Sequence, residues 1–383
     1  MMLSEEMSLY RDMTIRMLEQ KVAPFYDAWE SAGQVPRSLW NTLGSAGLLG
    51  VDMPECYGAA QAPFDVAQMI LEEMSRMGFG GLASGLNIHA NIVMPYILMY
   101  GSEEQKQHWL PKMITGHAVG AIAMTEPCTG SDLAAIQTRA VRKGDNWVLN
   151  GSKIFITNGL HADVVIVCAK TEQRAGSKGI SLFLVDTSLA GFSRGPGIKK
   201  IGQHASDTAE LFFDDLVIPG MALLGDENQG FAYLMQELPR ERLGVATQAI
   251  GSAEGALALT IDYVQQRKAF GKSIADFQNT RFKLAEIKTR IEICKAYLSQ
   301  CMRQYQVGQM NSQEASILKL SSTEMQCWVV DQCLQLFGGY GYTQEYPISR
   351  FYLDARVQTL YAGTSEIMKE VISRGMISKR EAK

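Results

Sequence analysis

Two stretches of this chain carry residue types suited to holding a phosphate or a flat ring. Thr125-Glu-Pro-Cys-Thr-Gly-Ser-Asp132 follows an apolar run. It offers the hydroxyls of Thr125 and Ser131 and, around Gly130, backbone N–H groups that can approach an anion or a ring edge. Lys153-Ile-Phe-Ile-Thr-Asn-Gly159 reads as a strand entering a turn. Phe155 can stack on a planar ring, and Thr157 can offer its hydroxyl to a ring nitrogen. The same residues would serve equally well in a polar loop and a packed core, so taken alone both readings stay open.

Other matches fail on context. Gly78-Phe-Gly80-Gly-Leu-Ala83 fits a dinucleotide fingerprint but follows a helical pattern, where that motif requires a strand. Gly271-Lys272-Ser273 has the ending of a phosphate loop, but Gln266 stands where its first glycine belongs. The seven cysteines show no C-x-x-C spacing, and the five histidines no i, i+4 pair. Reduced, mostly buried thiols and no metal site are expected.

The elements that must position these stretches fall into three zones. Residues 1–117 are helical in pattern: Val66, Ile70, Met74 and Met77 share one face, and Ser102 is placed to cap the helix that begins EEQKQHWL. Residues 118–223 change to short β-branched and aromatic runs. There Asn150-Gly151 is read as a hairpin turn between WVL and KIFI. Residues 224–383 return to long helices. Leu284, Ile287, Ile291, Cys294, Leu298 and Cys301 form one apolar stripe, Ser312 is placed to cap the next helix, and Pro239 predicts a kink in the first.

Hydrophobic residues make up 46% and charged residues 20%, enough for a large core, and a net charge of −4 gives no reason to expect nucleic acid as partner. No apolar run reaches the roughly 18–20 residues of a spanning helix. The first residues, MMLSEEMSLYRDM, do not read as a secretory leader. A soluble, cytoplasmic protein with no membrane insertion is expected.

Taken together, five segments carry a resemblance. TEPCTGSDLAA, KIFITNG, RKAFGKSIADFQ (267–278), QLFGGYGYTQEYPISRFYLD (335–354) and YAGTSEIMKEVISR (361–374) occur in the order of the signatures of the acyl-CoA dehydrogenase family. The chain resembles that family over nearly its whole length. The resemblance implies an α+β, mainly α fold: an N-terminal helical domain, a middle β-barrel-like domain and a C-terminal four-helix bundle. It implies FAD held by Ile122, Met124, Thr125, Gly130, Ser131, Phe155, Ile156 and Thr157 of one subunit, with Arg267, Phe270, Gln278, Gln335, Gly338 and Gly339 reaching it from a neighbour. Thr364 and Glu366 would complete that site. Ser131, Arg242, Ala362 and Gly363 would contact the acyl-CoA. A homotetramer, built as a dimer of dimers, and an electron-transferring flavoprotein as electron acceptor follow from the same resemblance.

The chain departs from the pattern in two places. Cys128 and Thr129 replace the usual glycine and alanine of the first signature. Ala362 stands where many members carry the catalytic glutamate. Members of the isovaleryl and long-chain types carry their base in an E-R-L sequence on a bundle helix instead, and ELPRERLGVA (237–246) resembles the long-chain type. Glu241 is thus the expected base for removing the α-proton, with Glu237 as the alternative. The expected reaction is α,β-dehydrogenation of an acyl-CoA to the trans-2-enoyl-CoA, with hydride passing to flavin N5. The enolate oxygen would be met by the N–H of residue 362, which survives the change to alanine. An acyl-CoA oxidase, another flavoprotein of this fold such as a nitroalkane-type oxidase, and a non-catalytic flavoprotein are the competing readings.

Overall fold

A computed structural model of the protein describes residues 5–377, so Met1–Ser4, part of the segment read as no leader, lie outside the described residues. The N-terminal zone is helical from Glu5–Lys21 to Glu103–Ile114. Phe64–Arg76 buries Val66, Ile70 and Met74 as the spacing requires, and Met77 caps its end. Ser102 accepts from the Gln105 N–H while the Gln105 side chain accepts from the Ser102 N–H, a reciprocal capping box. Gly80–Tyr100 is one apolar run of spanning length among the described residues, but 83% of it is buried inside the protein. It is built as Gly80–Leu86, a π-helical Asn87–Val93 and Met94–Tyr100. Such a π segment shifts the facing of the side chains that follow it.

The middle zone is an eight-stranded sheet. Its path runs Phe192–Arg194, Thr208–Pro219, Asn146–Thr157, Arg139–Lys143, Val164–Lys170, Ile180–Asp186 and Leu223–Leu224, with Gly120–Ala123 parallel to Val164–Lys170. Val164–Lys170 is buried on both faces. Val164, Ile166 and Cys168 pack with the N-terminal helices, whereas Val165, Val167 and Ala169 pack with Trp147 and Phe183 inside the sheet's own core. The hairpin expected at Asn150-Gly151 is not there. Asn146–Thr157 is one continuous strand, with a register shift between Leu149 and Gly151. Gly151, at φ 148°, sits where an added Cβ would lie 2.5 Å from the Thr138 hydroxyl, so the glycine marks a bulge. The turn is at Gly144-Asp145, between Lys143 and its partner Asn146, with Gly144 at φ 61°.

The C-terminal zone has three long helices, Gly230–Gln266, Gln278–Gln306 and Ser312–Phe337, with the shorter Pro347–Gln358 and Ser365–Ile377. The stripe on Gln278–Gln306 faces the bundle core, with Ile287, Ile291, Cys294, Leu298 and Cys301 buried and Leu284 partly so. The helix starting at Ser312 is capped by Asn311, not Ser312: Asn311 pairs with Glu314, which leaves the Ser312 hydroxyl to take a bond from Arg242. Gly230–Gln266 continues through Pro239 and packs on the Gly80–Tyr100 run. A Cβ on Gly244 would lie 2.5 Å from the Asn87 amide oxygen, so glycine is what lets the two helices meet here.

Candidate active site

Glu241 lies one turn before Gly244 in Gly230–Gln266, so the close helix contact places it against the run that carries Tyr96. Its side chain is 4% exposed, and the Tyr96 hydroxyl donates to Oε1 at 2.9 Å. Burial lifts the Glu241 pKa from 4.5 to about 7, Glu237 adding to the rise and the Tyr96 bond and Arg242 opposing it. A carboxylate with that value is half ionised near neutral pH and suits proton abstraction. Glu237, one turn earlier, is half-buried and accepts from the Tyr100 hydroxyl at 2.8 Å.

Next to the carboxylate, Arg242 is 3% exposed, and its Nη1 donates to the hydroxyls of Ser312 at 3.3 Å and Ser316 at 3.1 Å. A Cβ built on Gly363 would come to 3.9 Å from Arg242 Nη2, which brings the Ala362–Gly363 turn beside Arg242, the residue that follows Glu241. Ala362 has φ 52° and Gly363 φ 91°. A non-glycine residue in the left-handed region is a strained conformation that its surroundings must hold. Thr364 caps the following helix by accepting from Ile367 N at 3.3 Å, and Glu366 lies exposed in its first turn.

The stretches 122–131 and 155–157 also meet. Ile122 is buried in Gly120–Ala123, Met124 and Thr125 are half-buried, and Gly130 and Ser131 are exposed. The 3.0 Å bond from Ile154 N to Thr125 O ties this loop to the strand that carries Phe155, Ile156 and Thr157. Phe155 is 62% exposed at φ 60°. The tie is reinforced by a pair that the sequence did not single out. Lys153 Nζ donates at 2.9 Å to both Met124 O and Glu126 Oε1, and Glu126 also accepts from the N–H groups of Gln137 and Thr138. Burial alone would raise the Glu126 pKa; Lys153 and those donors outweigh it and hold it below the usual carboxylate range. Thr129, of the departure at Cys128-Thr129, is buried and bonds to Asp132 O, while Cys128 is exposed.

Arg267, Phe270, Gln278, Gln335, Gly338 and Gly339 form a separate, exposed group. The Arg267 guanidinium lies 5.5 Å from the Tyr340 ring, and Phe270 is 95% exposed. Arg267 follows the C-terminus of the helix that carries Glu241, which at 1.5 Å per residue is roughly 39 Å away. Within one chain this group cannot serve the same small site as Glu241.

With this geometry in place, comparison with known proteins gives the chain's kinship. Sequence patterns of the acyl-CoA dehydrogenase N-terminal, middle and C-terminal domains match residues 4–117, 121–216 and 228–377. The chain belongs to the acyl-CoA dehydrogenase family. It is 47% identical over 376 residues to the mitochondrial long-chain specific acyl-CoA dehydrogenase of Sus scrofa, covering 98% of this chain and 87% of that one. The crystal structure of an acyl-CoA dehydrogenase from Geobacillus kaustophilus matches with a TM-score of 0.96 at 45% identity, over 98% of this chain and 99% of that one. A glutaryl-CoA dehydrogenase from Mycobacterium smegmatis, solved in complex with FADH2, matches with a TM-score of 0.93 at 30% identity, over 100% of this chain and 97% of that one. As an acyl-CoA dehydrogenase the chain is an oxidoreductase of acyl-CoA thioesters, and the observed order of helical, β and helical domains is the family's fold.

Tyr96, Lys153 and Glu126 are the functional candidates the sequence reading passed over. Lys153 had a usable signal, since a lysine directly before the run Ile-Phe-Ile is out of place in a buried strand unless it is paired. Tyr96 had none: it stands in the apolar run MPYILMY, and no spacing links it to a residue 145 positions away.

Proposed function

We propose that this acyl-CoA dehydrogenase removes the α-proton of its substrate with Glu241 and forms the trans-2-enoyl-CoA. The observation that carries the reading is a buried carboxylate with a pKa of about 7, held by Tyr96 beside the Ala362–Gly363 turn. No other carboxylate stands at residue 362 to compete for the role.

The residues fit FAD. Phe155 and Phe270 present large apolar rings to solvent, surfaces that a flat ring would cover. The backbone at Gly130 is open, with nothing nearer an added Cβ than Thr125 at 4.0 Å, and at Gly338 and Gly339 nothing lies within 4 Å. Ile122, Met124, Thr125, Gly130, Ser131, Phe155, Ile156 and Thr157 would hold FAD from this chain, with Thr364 and Glu366. Arg267, Phe270, Gln278, Gln335, Gly338 and Gly339 would hold that of a second copy, which calls for a homo-oligomer, a dimer of dimers by family resemblance. When bound, FAD supplies the acceptor for the hydride that leaves Cβ.

Glu241 takes the proton from Cα, the Ala362 N–H faces the thioester oxygen as it gains charge, and the buried surroundings keep water from the base. An electron-transferring flavoprotein is the proposed acceptor for the reducing equivalents. The test is anaerobic titration of the yellow protein with acyl-CoA thioesters. Bleaching of the flavin with release of enoyl-CoA supports the reading, and a flavin unaffected by any acyl-CoA contradicts it. Rapid reoxidation of the bleached protein by air would favour the oxidase.

A further inference from the structure

Lys319 is fully buried, and its Nζ donates to the carbonyl oxygen of Gly363 at 2.7 Å. It makes no ion pair within 4 Å among the described residues, and neither does Arg242. The two cations share a site. Ser312, Ser316 and Lys319 lie on one face of Ser312–Phe337, four and three residues apart. Arg242 bonds to both serines and sits beside Gly363, while its Nε has no hydrogen-bond partner. Two buried positive charges without a carboxylate between them are costly. A hydrogen bond to a backbone carbonyl does not need a charge; a neutral side chain could make it. The charge calls for a use.

We propose that Lys319 is a positioning residue for the reaction, fixing the Ala362–Gly363 turn through the Gly363 carbonyl and, together with Arg242, setting positive charge beside the oxygen that becomes negative when the α-proton leaves. The proposal rests on the reading that this turn receives the thioester. It accounts for three observations at once: the left-handed Ala362 is held in place, the lysine is buried without an ion-pair partner, and the arginine is left with an idle donor. Negative charge passes from Glu241 to this oxygen as the α-proton is transferred, and leaves it when the hydride departs from Cβ. Such charge, already oriented before the reaction, stabilises the charged intermediate more than the neutral substrate.

Lys319 also sets a limit in pH. Burial first and Arg242 on the facing helix second bring its pKa from 10.5 to about 8, against the opposing pull of Cys327 and Glu324 of its own helix and Glu366 of Ser365–Ile377. The cation is present below about 8 and lost above it.

The experiment uses FAD-loaded full-length protein and a 3-oxoacyl-CoA, whose acidic α-proton allows the bound enolate to be read by ultraviolet difference absorbance without turnover. In Lys319→Met the apparent pKa of the bound 3-oxoacyl-CoA should rise by about one pH unit or more, a tenfold or larger loss of enolate stabilisation. Turnover of an ordinary acyl-CoA should fall roughly 10²-fold, the scale of losing one oxyanion-stabilising group, with little change in KM. An unchanged enolate pKa in a variant with normal FAD content overturns the proposal and leaves Lys319 a packing residue. A 3-oxoacyl-CoA that neither binds nor ionises on the unmodified protein refutes instead the acyl-CoA reading of the site. Should Lys319→Met fold poorly, Lys319→Arg decides: guanidinium does not titrate in this range, so turnover should persist above pH 8 where the unmodified protein loses it. Identical alkaline limbs would overturn the proposal.

Discussion

The Tyr96 hydroxyl donates to Oε1 of Glu241 at 2.9 Å, across two helices that meet where Gly244 faces Asn87. This bond favours the ionised carboxylate, while burial favours the neutral acid and prevails. Tyr96 therefore limits how far burial raises the Glu241 pKa. Its own pKa is driven well above 10, first by burial and then by Glu241, so it remains a donor throughout the working range.

Tyr96→Phe removes that donor and keeps the ring. The base pKa should then rise above about 7, moving the acid limb of kcat/KM to higher pH. Activity at pH 7 should drop several-fold relative to the unmodified protein, and the ratio of the two should approach one as pH rises toward 9. A variant depressed equally at every pH would show that Tyr96 acts only in packing.

The raised Glu241 pKa also has a stability consequence. A carboxyl whose folded pKa lies above its unfolded value favours folding in its neutral form, fully below about pH 4.5, and this advantage is lost as pH rises through about 7. Glu241→Gln is neutral at every pH. It should melt higher than the unmodified protein at pH 8, by the equivalent of roughly 3 kcal/mol, and the two should converge below pH 5. Asp354, buried and also raised to about 7, is common to both proteins, so the difference isolates Glu241.

Lys153→Met breaks the buried pair with Glu126, whose side chains are 0% and 3% exposed. Removing one partner of such a pair costs roughly 3–5 kcal/mol. Because Lys153 also holds Met124 O, the loop 124–131 should loosen and FAD content should fall. Flavin absorbance per chain after gel filtration checks this; full FAD content would show that the loop does not depend on the pair.

Arg267→Ala should lower FAD retention although the residue lies roughly 39 Å along the helix from Glu241. The loss should be recovered by mixing with a variant that supplies an intact Arg267 but lacks Phe155. Sedimentation should give a tetramer; a monomer with full FAD would refute the shared site.

Much of the architecture was legible in the chain because it rests on local rules. The 3.6-residue stripes on Phe64–Arg76 and Gln278–Gln306 and the Ser102 cap follow from side-chain spacing and orphaned N–H groups. The turn residues were harder. Asn150-Gly151 and Gly144-Asp145 are both turn-like pairs, and only the register against Arg139–Lys143 and Thr208–Pro219 decides which one reverses the chain. Ser312 and Asn311 are neighbouring cap candidates, and the choice follows from Arg242 drawing on the serine. At the site, Glu241 was visible through the E-R-L sequence and the vacancy at Ala362. Tyr96 and Lys319 were not, since each acts through a contact between distant segments that only the packed fold creates.

The central claim is that Glu241 is the base, and anaerobic rapid mixing of FAD-loaded Glu241→Gln with an acyl-CoA tests it most directly. The amide keeps the shape and removes the proton acceptor, so flavin reduction should slow by roughly 10²–10⁴-fold with FAD content unchanged. Adding Ala362→Glu to that variant should restore part of the rate, and only part, since a displaced base is a poor one. Flavin reduction at the unmodified rate in Glu241→Gln would contradict the account and transfer the role to Glu237 or another carboxylate.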